Sequence, residues 1–274
     1  MSGTLYVVAT PIGNLEDISP RALRILGEVD VIACEDTRHT RKLLDRYGIS
    51  RPLVSYHEHN EQARATELLA DLQTGRNIAL VSDAGTPLIA DPGYRLVEQA
   101  REQGLTVTPV PGACAFIAAL SASGLPTDAF LFIGFLPAKQ GQRRKLLAEW
   151  KSLPATLVLY EAPHRILETL EDIAATLGER HVVLARELTK IHEEFLRGTP
   201  SELAVKLAAR DSVKGEFTVM IARAESEPID DTPLDDAVEK LVASGVPRMD
   251  ALKTVARQRG LSKREVYKKL HERE

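Results

Sequence analysis

The hydrophobic positions along the first two thirds of the chain alternate between two patterns. Short runs rich in β-branched residues predict strands, and stretches with apolar residues three and four positions apart predict helices between them. The predicted strands are 5–9, 29–34, 53–56, 77–82 and 106–110. One predicted helix begins at Pro20, after the N-cap Ser19, and the others cover about 37–46, 60–73 and 94–103. This alternation is typical of a parallel sheet with crossover helices, so we predict an open α/β domain over residues 1–123.

The alternation continues less regularly through a second α/β unit, which we predict over residues 124–226. Its predicted strands are 130–136, 156–160, 181–185 and 217–222. Its predicted helices are 143–150, 164–176 and 200–209. The stretch 225–233 is rich in Pro and acidic residues and has no periodicity, which predicts a linker.

Residues 232–274 predict a small helical module. After Pro233, apolar residues recur three and four positions apart and predict one helix. A second helix is predicted over 249–258, and a third begins at the capping box that Ser262 and Glu265 form. A helix, a turn and a capped helix are typical of a helix-turn-helix module, so we expect this part of the chain to bind RNA.

The composition predicts a folded globular protein, with 44% hydrophobic and 27% charged residues in a chain of 274. The uncharged stretch 104–127 is broken by Pro and Gly, so it does not predict a membrane span. The N-terminus lacks the cationic start and long apolar run of a secretory signal, and we therefore expect the protein in the cytoplasm. Two cysteines, Cys34 and Cys114, predict neither a disulfide framework nor a zinc site.

The charge of the chain is divided unevenly. Residues 248–274 hold nine Lys and Arg against four Asp and Glu, a surplus of five positive charges. Because the whole chain carries −4, the residues before 248 carry −9. A basic tail on an acidic body favours a polyanion as partner. A solvated helix face is the equally supported alternative.

Candidate chemistry follows the strands, because ligands of parallel sheets bind beyond the carboxyl ends of the strands. The loops there are dense in Gly, Pro and polar residues, and Gly85, Gly93 and Gly112 allow the backbone to approach a ligand closely. None of these loops matches GxGxxG or GxxxxGK[ST], so both common nucleotide-binding folds are disfavoured.

Several motifs along the chain resemble those of one family. They are TLYVVATPIGNLEDIS, CEDTRHTRKLL, SYHEHNE, LVSDAGTPLIADPG, PGACA, FIGFLP, YEAPHRI and ARELTK. From about residue 3 onward, the chain resembles the ribosomal RNA small subunit methyltransferase I family, within the tetrapyrrole-methylase-like enzymes. The resemblance implies two α/β domains of a class III methyltransferase, with S-adenosylmethionine in the cleft between them. It also implies methyl transfer to the ribose 2′-hydroxyl of a cytidine in the decoding region of 16S ribosomal RNA, in the assembled small subunit, by a homodimer.

The same resemblance assigns contacts with the methyl donor to loops of both α/β units. The positions are Pro11, Ile12, Gly13, Asp83, Gly85, Thr86, Cys114, Ala115, Tyr160, Ala162, Phe217 and Thr218. Asp83 is the charged contact that we expect, and a helix cap is the alternative role for that carboxylate.

A base or an oriented acceptor is expected to assist the reaction, since a ribose hydroxyl is a weak acid. The candidates near strand ends are Glu35, Asp36, His57, Glu58, Glu161, His164 and Glu187. From these we select His57, Glu35 and His164, with His57 first because a neutral imidazole accepts a proton near pH 7. The alternative for His57 is a hydrogen bond within its own loop. His57 and His59 lack further ligands at zinc-like spacing, so we expect no metal site.

Three groups of basic residues are expected to contact RNA, because phosphate neutralisation dominates nucleic-acid affinity. Arg38, Arg41 and Lys42 share one face of the predicted helix 37–46. The segment 139–145 is predicted to be a mobile loop that closes on phosphates. The second and third groups are Lys139, Arg143, Arg144 and Lys145 in that loop, and Lys263, Arg264 and Lys268 in the tail.

Two other functions agree with parts of the pattern. A tetrapyrrole C-methyltransferase would share the fold and the donor, but it does not predict a basic third domain. A nucleic-acid-binding regulator with a ligand-sensing α/β body would use the C-terminal module and would bind duplex DNA without turnover.

Overall fold

Five parallel strands form the first sheet of the protein, in a computed structural model that describes residues 2–224, 232–258 and 261–262. The strands are β1 (Thr4–Val8), β2 (Val31–Cys34), β3 (Leu53–Ser55), β4 (Ile78–Val81) and β5 (Thr106–Val110). They lie in the order β3-β2-β4-β1-β5, and every neighbouring pair is parallel. The predicted parallel sheet is therefore confirmed.

Helices cover both faces of this sheet. They are α1 (Pro20–Glu28), α2 (Thr37–Arg46), α3 (Glu61–Gln73) and α4 (Tyr94–Glu102), and a 3-10 turn spans Leu15–Asp17. Alternate side chains of β4 pack with α3 and α4 on one face and with α1 and α2 on the other. The strands β2 and β4 are consequently buried at every position, as expected for continuous apolar runs in a parallel sheet. Ser19 caps α1 by accepting a hydrogen bond from the Ala22 N–H at 3.0 Å, as predicted.

The second sheet is mixed. Its strands are β6 (Phe130–Phe135), β7 (Thr156–Glu161), β8 (Val182–Arg186), β9 (Glu194–Gly198) and β10 (Phe217–Ile221), in the order β6-β7-β10-β8-β9. Only β6 and β7 pair in parallel. The accompanying helices are α6 (Gln140–Glu149), α7 (Ile166–Leu177) and α8 (Pro200–Ala208). The edge strand β9 was not predicted, because its five residues include the charged Glu194 and Arg197 and show no long apolar run.

Helix α5 (Ala115–Ser123) was also not predicted. Its sequence is apolar on several sides, so it has no single hydrophobic stripe of the kind that marks a surface helix. Its residues Ala119 and Leu120 pack against Val158, Val183 and Met220 of the second sheet. The predicted first domain, 1–123, thus ends in a helix that packs on the sheet of the next predicted domain.

The prediction of a mobile loop at 139–145 is wrong, because helix α6 begins at Gln140. Arg143 is fully buried, and its Nε donates a hydrogen bond to Oδ2 of the equally buried Asp172 at 2.5 Å. Arg144 Nε bonds the other carboxylate oxygen at 2.6 Å. Arg143 therefore neutralises a buried carboxylate and is not available to an RNA phosphate. Lys139 and Lys145 are exposed.

The chain divides into two compact units, Met1–Ala224 and Glu225–Glu274. In the second unit, α9 (Leu234–Ala243) and α10 (Arg248–Gln258) pack through a cluster that includes Val238, Leu252 and Val255. The third predicted helix lies outside the described residues, as do Glu265 of its capping box, the linker residues 225–231 and the basic residues Lys263, Arg264 and Lys268. Within the part of the chain that the structure describes, no helix is long and apolar enough to span a membrane.

Candidate active site

A cavity of about 510 Å³ lies within the first unit and is lined by loops of both sheets. The loops that follow β1, β4 and β5 form one wall, and residues around β7, β8 and β10 form the other. Ten of the twelve residues predicted to contact a methyl donor line it, so the sequence motifs converge in space. They are Ile12, Asp83, Gly85, Thr86, Cys114, Ala115, Tyr160, Ala162, Phe217 and Thr218.

Hydrogen bonds join the three loops of the first wall. Thr10 and Gly85 exchange two backbone bonds, of 2.9 Å and 3.1 Å, between the loops after β1 and β4. The Thr86 hydroxyl donates to the Ala113 carbonyl, in the loop after β5, at 3.0 Å. Gly85 has a φ of 83°, in the left-handed region that favours glycine. The wall is therefore held together by the motif residues themselves.

Among the residues that the structure describes, four other than glycine have positive φ, and all of them lie in two loops that reach the cavity. Leu88 and Ala90 have φ values of 71° and 66° in the loop after β4. Glu187 and Thr189 have φ values of 52° and 65° in the loop after β8. Such conformations cost energy, and they persist where the surrounding structure holds a functional geometry. They flank residues that line the cavity, Ile89 and Leu188.

Carboxylates give one side of the cavity an acidic character. Asp83 and Asp91 line it, and Asp83 Oδ1 also accepts a hydrogen bond from the Asp36 N–H at 3.1 Å. Burial raises the pKa of Asp91 to about 6, with further raising by the charges of Glu35 and Asp83 and an opposing hydrogen bond from Ser82. The pKa of Glu35 is raised by burial first and then by the charge of Asp83. A cationic ligand would relieve this repulsion.

Aromatic rings form part of the opposite wall. The Tyr160 hydroxyl accepts a hydrogen bond from the Phe116 N–H at 3.1 Å, and burial raises the pKa of this phenol. The Tyr160 ring lies 5.0 Å from the Phe132 ring and 5.7 Å from the Phe135 ring, measured between centroids. Phe135 lines the cavity although 55% of its surface is exposed. The mouth of the cavity therefore presents an aromatic ring to solvent.

A second cavity, of about 430 Å³, adjoins the first. The two share five lining residues: Ile12, Asp83, Ala84, Lys190 and Glu216. The second is otherwise lined by Pro11, Gly13, Leu15, His39, Lys42 and Leu43. It thus contains the two remaining residues that were predicted to contact the donor, together with Lys42, which was predicted to contact RNA.

The arrangement has counterparts among known proteins. Residues 4–204 match the family model of the Tetrapyrrole (Corrin/Porphyrin) Methylases. The chain is 51% identical to "Ribosomal RNA small subunit methyltransferase I" of Halalkalibacterium halodurans, over 98% of this chain and 95% of that protein. It is 49% identical to the protein of the same name in Escherichia coli O157:H7, over 97% and 94%. The chain belongs to the ribosomal RNA small subunit methyltransferase I family.

Solved structures of low identity share the fold of this methyltransferase. The crystal structure of diphthine synthase has a TM-score of 0.63 at 17% identity, covering 81% of this chain and 90% of that one. The crystal structure of uroporphyrin-III C-methyltransferase from Thermus thermophilus, complexed with S-adenyl homocysteine, has a TM-score of 0.56 at 19% identity, covering 81% and 98%. The predicted fold, two α/β sheets of the tetrapyrrole methylase type, is confirmed, as is the prediction that the protein is a methyltransferase.

The three residues predicted to be catalytic in this methyltransferase do not line either cavity. Glu35 and His57 follow β2 and β3, and the His57 backbone N–H donates to Asn60 Oδ1 at 2.9 Å. The His57 Nδ1 atom is buried and has no hydrogen-bond partner within the described ranges. His164 is exposed and directly follows Pro163, which lines the first cavity. Their catalytic roles stay predictions.

The basic residues of α2 differ from one another in their surroundings. Arg38 Nη2 pairs with Asp36 Oδ2 at 2.9 Å, and the Arg38 side chain is 87% exposed. Arg41 donates to the Arg51 carbonyl at 3.2 Å, so its guanidinium already has an acceptor. Lys42 faces the second cavity. Of the three, Lys42 is the one placed next to the candidate site.

Sequence reasoning missed several residues that line the cavities. Asp91, Phe135, Leu188 and Lys190 lie within the motifs LVSDAGTPLIADPG, FIGFLP and ARELTK, so the signal was present but did not single them out. Glu161, one of the wider set of candidate bases, is buried and accepts hydrogen bonds from the Thr169 hydroxyl and the Ala162 N–H. No group of three or more metal-ligating side chains occurs among the residues whose positions the structure gives.

Proposed function

We propose that the protein methylates the ribose 2′-hydroxyl of a cytidine in the decoding region of 16S ribosomal RNA, with S-adenosylmethionine as the methyl donor. The observation that carries the proposal is the donor-type cavity, which is lined by ten predicted contact residues and adjoins a second cavity lined by Lys42 and His39. Membership of the ribosomal RNA small subunit methyltransferase I family supports the choice of substrate.

The first cavity suits S-adenosylmethionine in size and charge. Its volume of about 510 Å³ lies in the range of small-molecule sites. Ile12, Ile89 and Leu188 offer apolar surface to an adenine ring. Asp83 and Asp91 offer carboxylates to a cation. When bound, S-adenosylmethionine supplies an activated methyl carbon: the O2′–C bond forms while the C–S bond breaks, the bonding pair stays on sulfur, and the hydroxyl proton is released.

In this proposal, much of the rate enhancement comes from positioning the methyl donor and the ribose hydroxyl, because an in-line displacement needs the two reactants held together in a fixed geometry. The hydrogen-bonded loops around Thr10, Gly85 and Thr86 hold the donor wall rigid. Glu35, His57 and His164 are retained as proposed acceptors of the hydroxyl proton. The raised pKa of Glu35 brings that carboxyl nearer to the range in which it takes up a proton at neutral pH.

In this proposal, exposed cations on α2, beside the second cavity, and at the start of α6 bind the RNA. Lys42 reaches the second cavity, and Arg38, Lys139, Arg144 and Lys145 are exposed. Lys263, Arg264 and Lys268 of the C-terminal module lie outside the described residues and complete the proposed RNA contacts. The assembled small subunit is the proposed partner, which places the protein in the cytoplasm.

A second copy of the chain is the other proposed partner. The edge strand β6 carries Phe130, which is 42% exposed, and the adjacent helix α5 carries Ile117, which is 47% exposed. An apolar edge of this kind is protected in most proteins by another element or another subunit. Sedimentation equilibrium is expected to give a dimer mass, and Phe130→Glu is expected to shift it to a monomer.

The test of the proposed function is incubation of the protein with methyl-labelled S-adenosylmethionine and small subunits that lack the modification. Label is expected in the ribosomal RNA and absent when subunits from methylated cells are used. Transfer to a tetrapyrrole instead, or tight duplex DNA binding without any transfer, would assign the chain to one of the two rival functions.

A further inference from the structure

Lys190 lies where the two cavities meet. It lines both of them, although it is an ordinary basic residue of the ARELTK motif in the sequence. Its Nζ pairs with Glu187 Oε1 and with Glu216 Oε2, each at 2.9 Å. Glu216 also lines both cavities. A cation at this junction is adjacent to any ligand that spans the two spaces.

The backbone that leads to Lys190 is strained, and hydrogen bonds between Glu187 and Glu216 stabilise it. Glu187 and Thr189, with φ values of 52° and 65°, hold the turn that leads to Lys190. Glu187 Oε1 accepts a bond from the Glu216 N–H at 3.1 Å, and the Glu187 N–H donates to the Glu216 carbonyl at 3.1 Å. A Cβ added at Gly13 would lie 2.5 Å from Lys190 Cγ, so the stem of the lysine packs directly on the backbone of the first loop. The ammonium group is therefore held in place before any ligand arrives.

The hydrogen-bonding capacity of Lys190 is not exhausted by these contacts. An ammonium group has three N–H donors, and the described residues accept from two of them. The two carboxylates raise the pKa of Lys190 against the opposing effect of burial, so the side chain stays charged. They also outnumber its single positive charge, which keeps the junction compatible with a neighbouring sulfonium.

The second cavity suits a nucleotide. Leu15 and Leu43 give it apolar surface, and His39 and Lys42 give it donors for phosphate oxygens. Both of the latter are exposed on α2, where they are accessible to a large substrate. The boundary that this cavity shares with the first, where Lys190 lies, is the position from which an acceptor ribose would face a donor in the first cavity.

We propose that Lys190 binds the acceptor nucleotide, with its third N–H donating to an oxygen of the ribose at the junction of the two cavities. This inference rests on the proposed function, and it adds the residue that holds the acceptor in line with the donor. The contact fixes the ribose relative to the methyl group. It does not change which bonds form and break.

The test compares Lys190→Gln with the wild type and with Lys206→Gln, a matched removal of an exposed lysine on α8. We expect Lys190→Gln to lower kcat for methyl transfer to small subunits on the order of 100-fold, because displacement of a reacting group by about 1 Å has that effect. KM for the subunits is expected to change by less than about threefold, since many other cations bind the RNA. Lys206→Gln is expected to match the wild type.

Donor affinity separates a contact with the acceptor from a structural role. Calorimetric titration with S-adenosylmethionine is expected to give Lys190→Gln the same Kd as the wild type within about threefold. Equal losses of donor affinity and of kcat, or a wild-type kcat, would overturn the inference.

Lys190→Arg decides the matter if the glutamine variant does not fold, because arginine keeps the positive charge between Glu187 and Glu216. Its planar guanidinium cannot place a donor at the same point, so kcat is expected to fall by about tenfold with donor affinity retained. A wild-type kcat for Lys190→Arg would then reject the role of Lys190. If the wild type itself transferred no methyl group to subunits, the proposed function would fail and the role of Lys190 would fail with it.

Discussion

Asp91 shows how a single residue can couple donor binding to pH. Its carboxyl lines the donor cavity, and burial together with Glu35 and Asp83 raises its pKa to about 6. Above that pH the group is ionised and attracts a cation, whereas below it the group is neutral. Because the folded-state pKa lies above the ordinary value for Asp, the contribution of this group to stability is full at low pH and is lost as the pH rises through about 6.

Asp91→Asn is therefore expected to have opposite effects on binding and on stability. At neutral pH it weakens the binding of S-adenosylmethionine several-fold, since a charge partner is lost, and it raises the melting temperature, since a buried charge is removed. The wild-type affinity is expected to fall on acidification through about pH 6, and the variant is expected to lose this dependence. Calorimetric titrations between about pH 5 and pH 8 measure the donor affinity of the wild type and of the variant, and thermal denaturation measures their melting temperatures. Asp45→Asn, an exposed change on α2, serves as the control, and an identical pH profile in wild type and Asp91→Asn would contradict the assignment.

A comparison of Gly85 with Gly104 distinguishes the effect of backbone strain from the effect of cavity shape. It has a φ of 83°, and a Cβ there would lie 3.2 Å from Ile12 Cγ2 in the wall of the donor cavity. Gly104 has a similar φ of 70°, but a Cβ there would meet nothing within 4 Å. We expect Gly85→Ala and Gly104→Ala to lower the free energy of unfolding by comparable amounts, about 1 kcal/mol. Only Gly85→Ala is expected to weaken donor binding, which denaturation and calorimetry together would measure.

At the scale of elements, the sequence predicted those whose patterns are local. The strands β2 and β4 are continuous apolar runs, and α2 spans Thr37–Arg46, the predicted range. Helix α5 and strand β9 were missed because tertiary packing and edge pairing stabilise them more than their own periodicity does. The segment 139–145 was predicted to be a loop from its charge, but Asp172, 29 residues beyond Arg143, gives that arginine a buried partner. Contacts over such distances are invisible to a local pattern.

The ion pair between α6 and α7 gives a direct test of that correction. Arg143→Met leaves the buried Asp172 with Arg144 as its remaining charged partner. We expect a loss of about 3 kcal/mol in the free energy of unfolding, because a buried charge loses a partner. Arg144→Gln removes a side chain that is 46% exposed and is expected to cost about 1 kcal/mol or less. Urea denaturation distinguishes the two, and equal costs would contradict the burial of Arg143.

At the scale of the whole molecule, the motifs of the sequence located the candidate site better than they assigned roles within it. Ten of the twelve predicted donor contacts line one cavity. Six of them follow strands of the first sheet, where loops at the carboxyl ends of parallel strands share one edge, and the other four come from β7, the loop after it and β10 of the mixed second sheet. The catalytic choices Glu35 and His57 follow β2 and β3, on the side of the sheet away from β1 and β5, and line neither cavity. His39 and Lys42, on the helix after β2, do line the second cavity, so the path of each loop decides which of its residues reach a cavity. A local sequence pattern does not give that path.

The donor cavity and the basic C-terminal segment belong to different compact units, so deletion of the C-terminal module should affect RNA binding alone. The donor cavity is built entirely from residues of the first unit, whereas the basic segment 248–274 belongs to the second. Removal of residues 232–274 is therefore expected to leave the Kd for S-adenosylmethionine unchanged and to raise the KM for small subunits at least about tenfold, with a reduced salt dependence of binding. Calorimetry and filter binding at several salt concentrations measure these quantities. Unchanged subunit binding would remove the C-terminal module from the RNA interface.

The central claim is that the protein transfers a methyl group from a donor bound in the first cavity to the ribose of an RNA nucleotide bound in the adjoining second cavity. Mass spectrometry of 16S ribosomal RNA tests it most directly, with RNA from cells that lack the protein, before and after their small subunits are incubated with the protein and S-adenosylmethionine. We expect one decoding-region cytidine to gain a methyl group on its ribose, seen as a nucleotide fragment whose base mass is unchanged. A methyl group on the base, or RNA identical in mass before and after incubation, would contradict the account.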